Sequence, residues 1–194
     1  MRVCALRTGQ LVNKSEIAKE VGVSPKTIND WLSILHAGNQ VILLEPYFKN
    51  IGKRVVKSPK LYFSDTGLVS YLMGIKESTI LDSPHLGHLW ETFVLSELRK
   101  SLFLRHQEAT LWFYRDQQKE ADFVISYGSK LYLLDAKWKE IPPPSAFKNL
   151  CDIQSYFIEA SSKVCMITPS QDSFPVAPEK HVVSGFAIAD WQWQ

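Results

Sequence analysis

The sequence predicts a mixed α/β chain: a small helical N-terminal part with a strand hairpin, then a larger sheet with helices between its strands. Three observations carry that expectation. Two short helical patterns meet at Gly22. Two apolar, β-rich runs at residues 121–127 and 131–136 flank the turn residues Gly128 and Ser129, the pattern of a hairpin. Strand-like runs at 111–114 and 164–168 alternate with helical ones at 88–103 and 145–160, so part of the sheet should be parallel. A composition shift over 75–84 predicts two domains, residues 1–76 and 77–194.

Residues 1–12 are partly apolar and are expected to be helical. The next helix has Ser15 as its expected N-cap and Gly22 as its stop. Ser24 and Pro25 then open a second helix as N-cap and first helical residue. It offers Ile28, Trp31, Leu32 and Leu35 at the spacing of one buried face. Ala18 is small where the two helices would cross, so the pair reads as a helix-turn-helix. Its outward positions are Lys26, Thr27, Asn29, Asp30 and Ser33, a modest set for reading DNA and equally suited to a solvated connector.

Residues 41–47 and 60–63 read as two strands of a wing. Between and beside them stand Lys49, Lys53, Arg54, Lys57 and Lys60, with no acid from 49 to 60. Such a run can lie along phosphates or be an ordinary solvated tip. After it, Asp65 or Thr66 is expected to cap a helix. The helix at 88–103 has Leu89, Phe93, Leu95, Leu98 and Leu102 as its apolar stripe, and Glu91 near its start, where the helix's positive end favours an acid. Arg115 is expected to pair with Glu120. Pro142–Pro144 form a stiff loop, residues 182–188 a final edge strand, and Trp191 and Trp193 core packing or a partner surface.

The hairpin carries the chemistry. A tight turn at Gly128-Ser129 sets Tyr127 opposite Lys130 and therefore Asp122 opposite Asp135. Alternation then puts Asp122, Asp135 and Lys137 on one face, and Ala121, Phe123 and Ile125 with Tyr132, Leu134 and Ala136 on the other. Facing aspartates destabilise a sheet, so they call for a reason. A shared Mg²⁺ or Mn²⁺ is one, because hard cations take carboxylate oxygens. Solvated strand ends paired to Lys137, Lys139 and Arg115 are the other.

An acid on one strand followed by Asp135-Ala136-Lys137 on the next resembles the active-site hairpin of the PD-(D/E)xK, or restriction-endonuclease-like, nuclease superfamily. Residues 11–167 also resemble the C-terminal region of a family of prokaryotic AAA+-type ATPases. The motifs are Pro59-Lys60-Leu61-Tyr62-Phe63-Ser64-Asp65-Thr66-Gly67-Leu68, Gly87-His88-Leu89-Trp90-Glu91-Thr92-Phe93-Val94, Glu120-Ala121-Asp122-Phe123 and Asp135-Ala136-Lys137. The resemblance implies a winged helix-turn-helix followed by a three-layer restriction-endonuclease-like α/β domain. It also implies Asp122, Asp135, Glu91 and Lys137 as catalytic residues, the three acids as metal ligands, and an N-terminal ATPase domain as partner. Lys26, Thr27, Asn29, Lys53, Arg54 and Lys57 are the expected nucleic-acid contacts, DNA favoured.

No Gly-x-x-x-x-Gly-Lys-Ser/Thr loop is present, so no ATP site of that kind is expected in this chain. A net charge of +2 does not by itself argue for nucleic acid. Cys4, Cys151 and Cys165 are odd in number and widely spaced, which favours reduced thiols. With no membrane-length apolar run and no leader pattern, a cytoplasmic location is expected. Three functions stay open: a metal-dependent phosphodiesterase, an inactive DNA- or protein-binding module, and a regulatory appendage that docks on the ATPase or on a second copy.

Overall fold

The computed structural model describes residues 1–48, 56–105, 108–157 and 161–191. The chain is mixed α/β and divides into two compact units, residues 1–45 with 57–93, and residues 46–56 with 94–194. Among the described residues no helix is long and apolar enough to cross a membrane.

The first unit opens with a short helix, α1 (Arg2–Ala5), and a two-residue strand, β1 (Gln10–Leu11). The helix expected over 1–12 is therefore broken. Gly9 adopts φ +78°, a left-handed turn that feeds β1 into the sheet. Helix α2 (Lys14–Val21) is capped by Asn13, whose side chain accepts the Glu16 N–H at 3.2 Å; Ser15 lies inside the helix. Gly22 ends it at φ +79°. Helix α3 (Pro25–Ala37) starts at the Ser24 cap as expected. It buries Ile28 and Leu32, but Trp31 is 48% exposed and does not join that face. Strands β2 (Val41–Leu44) and β3 (Lys60–Phe63) pair antiparallel, and β1 joins on the other side of β3. Asp65 then accepts the Leu68 N–H at 2.6 Å and caps α4 (Thr66–Met73). Ile17, Ala18, Ile28, Leu32, Leu61, Phe63 and Val69 share one core.

Helix α5 (Leu86–Arg105) passes from the first unit into the second. Its Leu89, Leu95, Leu98 and Leu102 are buried, with Phe93 half-buried. The second unit is a six-stranded mixed sheet. Its strands are β4 (Thr110–Arg115), β5 (Glu120–Tyr127), β6 (Lys130–Ala136), β7 (Ser161–Thr168), β8 (Phe174–Ala177) and β9 (Lys180–Ser184). Their spatial order is β4-β5-β6-β7-β9-β8, with β6-β7 and β7-β9 parallel. The strand expected at the edge is thus internal: β9 lies between β7 and β8, and residues after Ser184 turn into a 3-10 segment, Gly185–Asp190. The helix expected over 145–160 is shorter, a 3-10 turn at Pro144–Phe147 followed by α6 (Lys148–Gln154). Leu150 and Ile153 of α6 pack with Val124, Leu133, Val164 and Met166 on one face of the sheet.

Candidate active site

The β5–β6 hairpin turns at Gly128, which takes φ +58°. Its register is the expected one: Tyr127 pairs with Lys130, Ile125 with Tyr132 and Phe123 with Leu134. Beyond Phe123 the main-chain ladder gives way to side chains. The Asp122 N–H donates to Asp135 Oδ1 at 3.2 Å, and the Ala136 N–H donates to Asp122 Oδ2 at 3.0 Å. Each carboxylate is therefore oriented by an amide, of the opposite strand for Asp122 and of Asp122 itself for Asp135.

A bulge on the other side of β5 explains the aim of Asp122. Trp112 of β4 pairs with Val124, and Tyr114 pairs with Ala121. Asp122 and Phe123 together stand opposite Phe113 alone, the two-against-one count of a β-bulge. Its consequence corrects one expectation. Ala121 does not alternate onto the face of Phe123 and Ile125 but lies in the cluster of Val124, Leu131 and Leu133.

Asp122 and Asp135 are 9% and 5% exposed. Lys137, the first residue after β6, brings Nζ to 3.7 Å from Asp122 Oδ2 and 3.9 Å from Asp135 Oδ2, while its own side chain stays half open to solvent. Its backbone is pinned too, since the Lys137 N–H donates to Ile167 O at 2.9 Å and prolongs the parallel pairing with β7. Three charged heads from two strands thus converge at one place.

Glu91 is engaged within the first unit. Its Oε1 takes Lys60 Nζ at 3.0 Å and the Tyr62 hydroxyl at 2.5 Å, and His88 Nδ1 stands 4.0 Å from Oε2. Lys60 is 2% exposed, so it is not a basic tip residue as the run from 49 to 60 suggested. Alternation along β3 sends Leu61 and Phe63 into the first core and Lys60 and Tyr62 to the opposite face. Among the described residues no group of three or more His, Cys, Asp or Glu is placed to hold a metal ion. Within the second unit, the expected site residues brought together are two carboxylates and an ammonium.

Of the expected nucleic-acid contacts, Lys26 and Lys57 are exposed. Thr27 is half-buried, its N–H on Ser24 Oγ at 3.1 Å. Asn29 Oδ1 accepts Lys14 Nζ at 2.7 Å. Lys53 and Arg54 lie outside the described residues. Arg115 and Glu120 do pair, at 3.3 Å.

Sequence reasoning missed three supporting groups. Asn149 of α6 donates to the Glu120 carbonyl at 2.5 Å. Lys119 of the β4–β5 turn pairs with Asp152 of α6 at 2.7 Å, and that bond raises the lysine's pKa and lowers the aspartate's. Tyr62 is the third, and its place in an alternating strand beside a lysine was the available signal.

A family profile described as a domain of unknown function (DUF4143) matches residues 86–186, more than half of the chain. The chain belongs to that family. Its members typically stand in C-terminal regions of AAA-type ATPases. A second domain of unknown function (DUF8612) matches residues 1–79. Two uncharacterised proteins, of Mycobacterium bovis and Mycobacterium tuberculosis, are each 32% identical over 173 residues, covering 87% of this chain and 37% of theirs. The chain therefore spans little more than a third of those relatives. A crystal structure of Vibrio cholerae protein VC1899 shares 12% identity at a TM-score of 0.37, over 89% of this chain and 42% of that one, a likeness too slight to carry an argument.

Proposed function

We propose that this chain is the C-terminal part of an ATPase, associated with nucleic acid, and that its second unit is a PD-(D/E)xK-type phosphodiesterase dependent on a divalent cation. The observation that carries the reading is the approach of Lys137 Nζ to both Asp122 and Asp135, 3.7 and 3.9 Å away. The donor set is all oxygen: two carboxylates and the Ala136 carbonyl. It suits Mg²⁺ or Mn²⁺, which bind through one or two carboxylates and keep several waters. Bound there, the cation would polarise a phosphate and lower the pKa of a bound water. Asp122 and Asp135 would hold it with their carboxylates already oriented by backbone amides, so little ordering is left for the moment of binding. Lys137 would position the attacking water or stabilise charge building on a phosphate oxygen.

On this reading the first unit is a winged helix, with α2 and α3 as its helix-turn-helix and β2 and β3 as the wing. Lys26, Thr27, Asn29, Lys53, Arg54 and Lys57 would meet DNA, chiefly along its backbone.

A second reading rests on the same cluster. Both carboxylates accept amides and share one ammonium, so the pair is held in place and half of its charge is offset without an ion. The chain would then be an inactive binding module, or a piece that docks on its ATPase domain or on a second copy. Plasmid nicking in Mg²⁺ or Mn²⁺, with Asp135→Ala and Lys137→Ala beside the wild type, separates them. Metal-dependent nicking lost in both variants supports the enzyme. Salt-sensitive DNA retention without nicking supports the binding module, and neither, with a stable dimer, supports the docking piece.

A further inference from the structure

Lys137 faces both acids but holds neither tightly. Its Nζ stands 3.7 Å from Asp122 Oδ2 and 3.9 Å from Asp135 Oδ2, distances of Coulombic attraction rather than of a hydrogen bond seated on either oxygen. The two carboxylates do not depend on it for their aim. Asp122 Oδ2 takes the Ala136 N–H at 3.0 Å, and Asp135 Oδ1 takes the Asp122 N–H at 3.2 Å. The acid side chains are 12% and 7% exposed, whereas that of Lys137 is 50% exposed and reaches water. Its backbone is fixed, because the Lys137 N–H donates to Ile167 O at 2.9 Å. The ammonium can therefore leave without disturbing the acids or the strand.

We propose that Lys137 is the resident counter-ion of the site: its ammonium offsets half of the paired charge until a divalent cation enters, and it competes with that cation for the same oxygens. The inference rests on the phosphodiesterase reading and names how its metal site is regulated. Two nearly buried carboxylates side by side repel, and one ammonium facing both offsets part of that cost. A divalent cation needs those same oxygens, and Mg²⁺ sits about 2.1 Å from a ligand oxygen. An ion on Asp135 Oδ2 would thus lie within about 6 Å of an unmoved Nζ. A double and a single positive charge at that separation repel by about a factor of ten in affinity, even at the dielectric of water. The side chain therefore swings outward as the cation arrives. Its ammonium is then delivered toward solvent, the side from which a phosphate approaches.

The test is Mn²⁺ binding by the full chain at low ionic strength, followed through the electron paramagnetic resonance signal of the free ion. Wild type is compared with Lys137→Met, Lys137→Arg and Asp135→Asn. Expected is a gain in affinity of about tenfold or more for Lys137→Met, in a variant that should have lost cleavage. Lys137→Arg keeps the charge and should match wild type within about threefold, while Asp135→Asn should lose binding. Mn²⁺ should also raise Tm further in Lys137→Met than in wild type. A residue with a merely structural role would weaken metal binding when replaced, not strengthen it. Lys137→Met affinity within about threefold of wild type, or weaker, would overturn the counter-ion. If that result comes with nicking that needs both Mn²⁺ and Asp135, the phosphodiesterase reading stands without it. If Lys137→Met binds more tightly but the wild type never nicks DNA, the counter-ion stands and the phosphodiesterase reading falls. No Mn²⁺ binding by either wild type or Lys137→Met overturns both.

Discussion

Glu91→Ala is expected to be among the most damaging single changes in the first unit. Lys60 is 2% exposed, its ammonium 3.0 Å from Glu91 Oε1, and the same oxygen takes the Tyr62 hydroxyl. At an effective dielectric near 20, unit charges at that distance attract by about 5.5 kcal/mol before desolvation is counted. Removing the acid forfeits that attraction and leaves a buried ammonium with its hydration already gone. Breaking such a pair costs about 3–5 kcal/mol. In a unit of this size that amounts to a fall of more than about 12 °C in Tm, at about 4–8 °C per kcal/mol. Glu91→Gln keeps an acceptor for both donors and should lose only about 1.5–3 kcal/mol, the worth of hydrogen bonds to a charged group. Replacing both partners, as Lys60→Met with Glu91→Leu, should recover stability to within about 1 kcal/mol of wild type, since no orphaned charge remains. Urea unfolding of the four proteins measures these differences. A Glu91→Ala loss below about 1 kcal/mol, or a double variant no better than the single, would refute the buried pair.

Other expectations follow from single contacts. Asp135→Asn should abolish any metal-dependent cleavage yet leave stability within about 1 kcal/mol, because it removes a like-charge contact and only a half-exposed ion pair; denaturation and nicking on one preparation decide it. Gly9→Ala should cost more than Gly22→Ala, by urea unfolding. Both glycines have positive φ, but a Cβ at Gly9 meets His88 Nδ1 at 3.0 Å and Glu91 Oε2 at 3.2 Å, whereas at Gly22 it meets nothing within 4 Å. Asp65→Ala should lose about 0.5–2 kcal/mol with its cap, and Asp65→Ser much less. Burial pushes the Cys165 thiol up from 9.0 to about 12 and the Tyr132 hydroxyl up from 10.0 to about 12. The native state then keeps protons that the unfolded chain releases, so stability should fall as pH rises above about 9, and Cys165 should resist alkylation until the chain unfolds.

What could be seen in advance was local. A two-residue turn between alternating runs fixes which residues face each other, so the meeting of Asp122 and Asp135 was readable from spacing alone. The bulge was not, because it depends on β4, and it moved Ala121 to the other face. Ser24-Pro25 and Asp65 declared their helices through caps. Asn13 and Ser15 are both good caps by residue type, and only the backbone shows that Asn13 serves. Trp31 has core spacing, but nothing within its helix shows what covers it. Lys60 looked like part of a solvated run because its partner lies on α5, 31 residues away. The order of β7, β8 and β9 was equally hidden, since an internal strand and an edge strand can share one apolar pattern.

The two margins of the large sheet have a consequence for the molecule's behaviour in concentrated solution. Along β4, the Tyr47 N–H donates to the Phe113 carbonyl at 2.7 Å and the Val56 N–H to the Arg115 carbonyl at 3.1 Å, so acceptors there are already taken. At the far side β8 carries Pro175, which has no N–H to offer. A ribbon from another molecule seeking to extend the array finds used carbonyls at one border and a missing donor at the other, which guards the fold against fibrous growth.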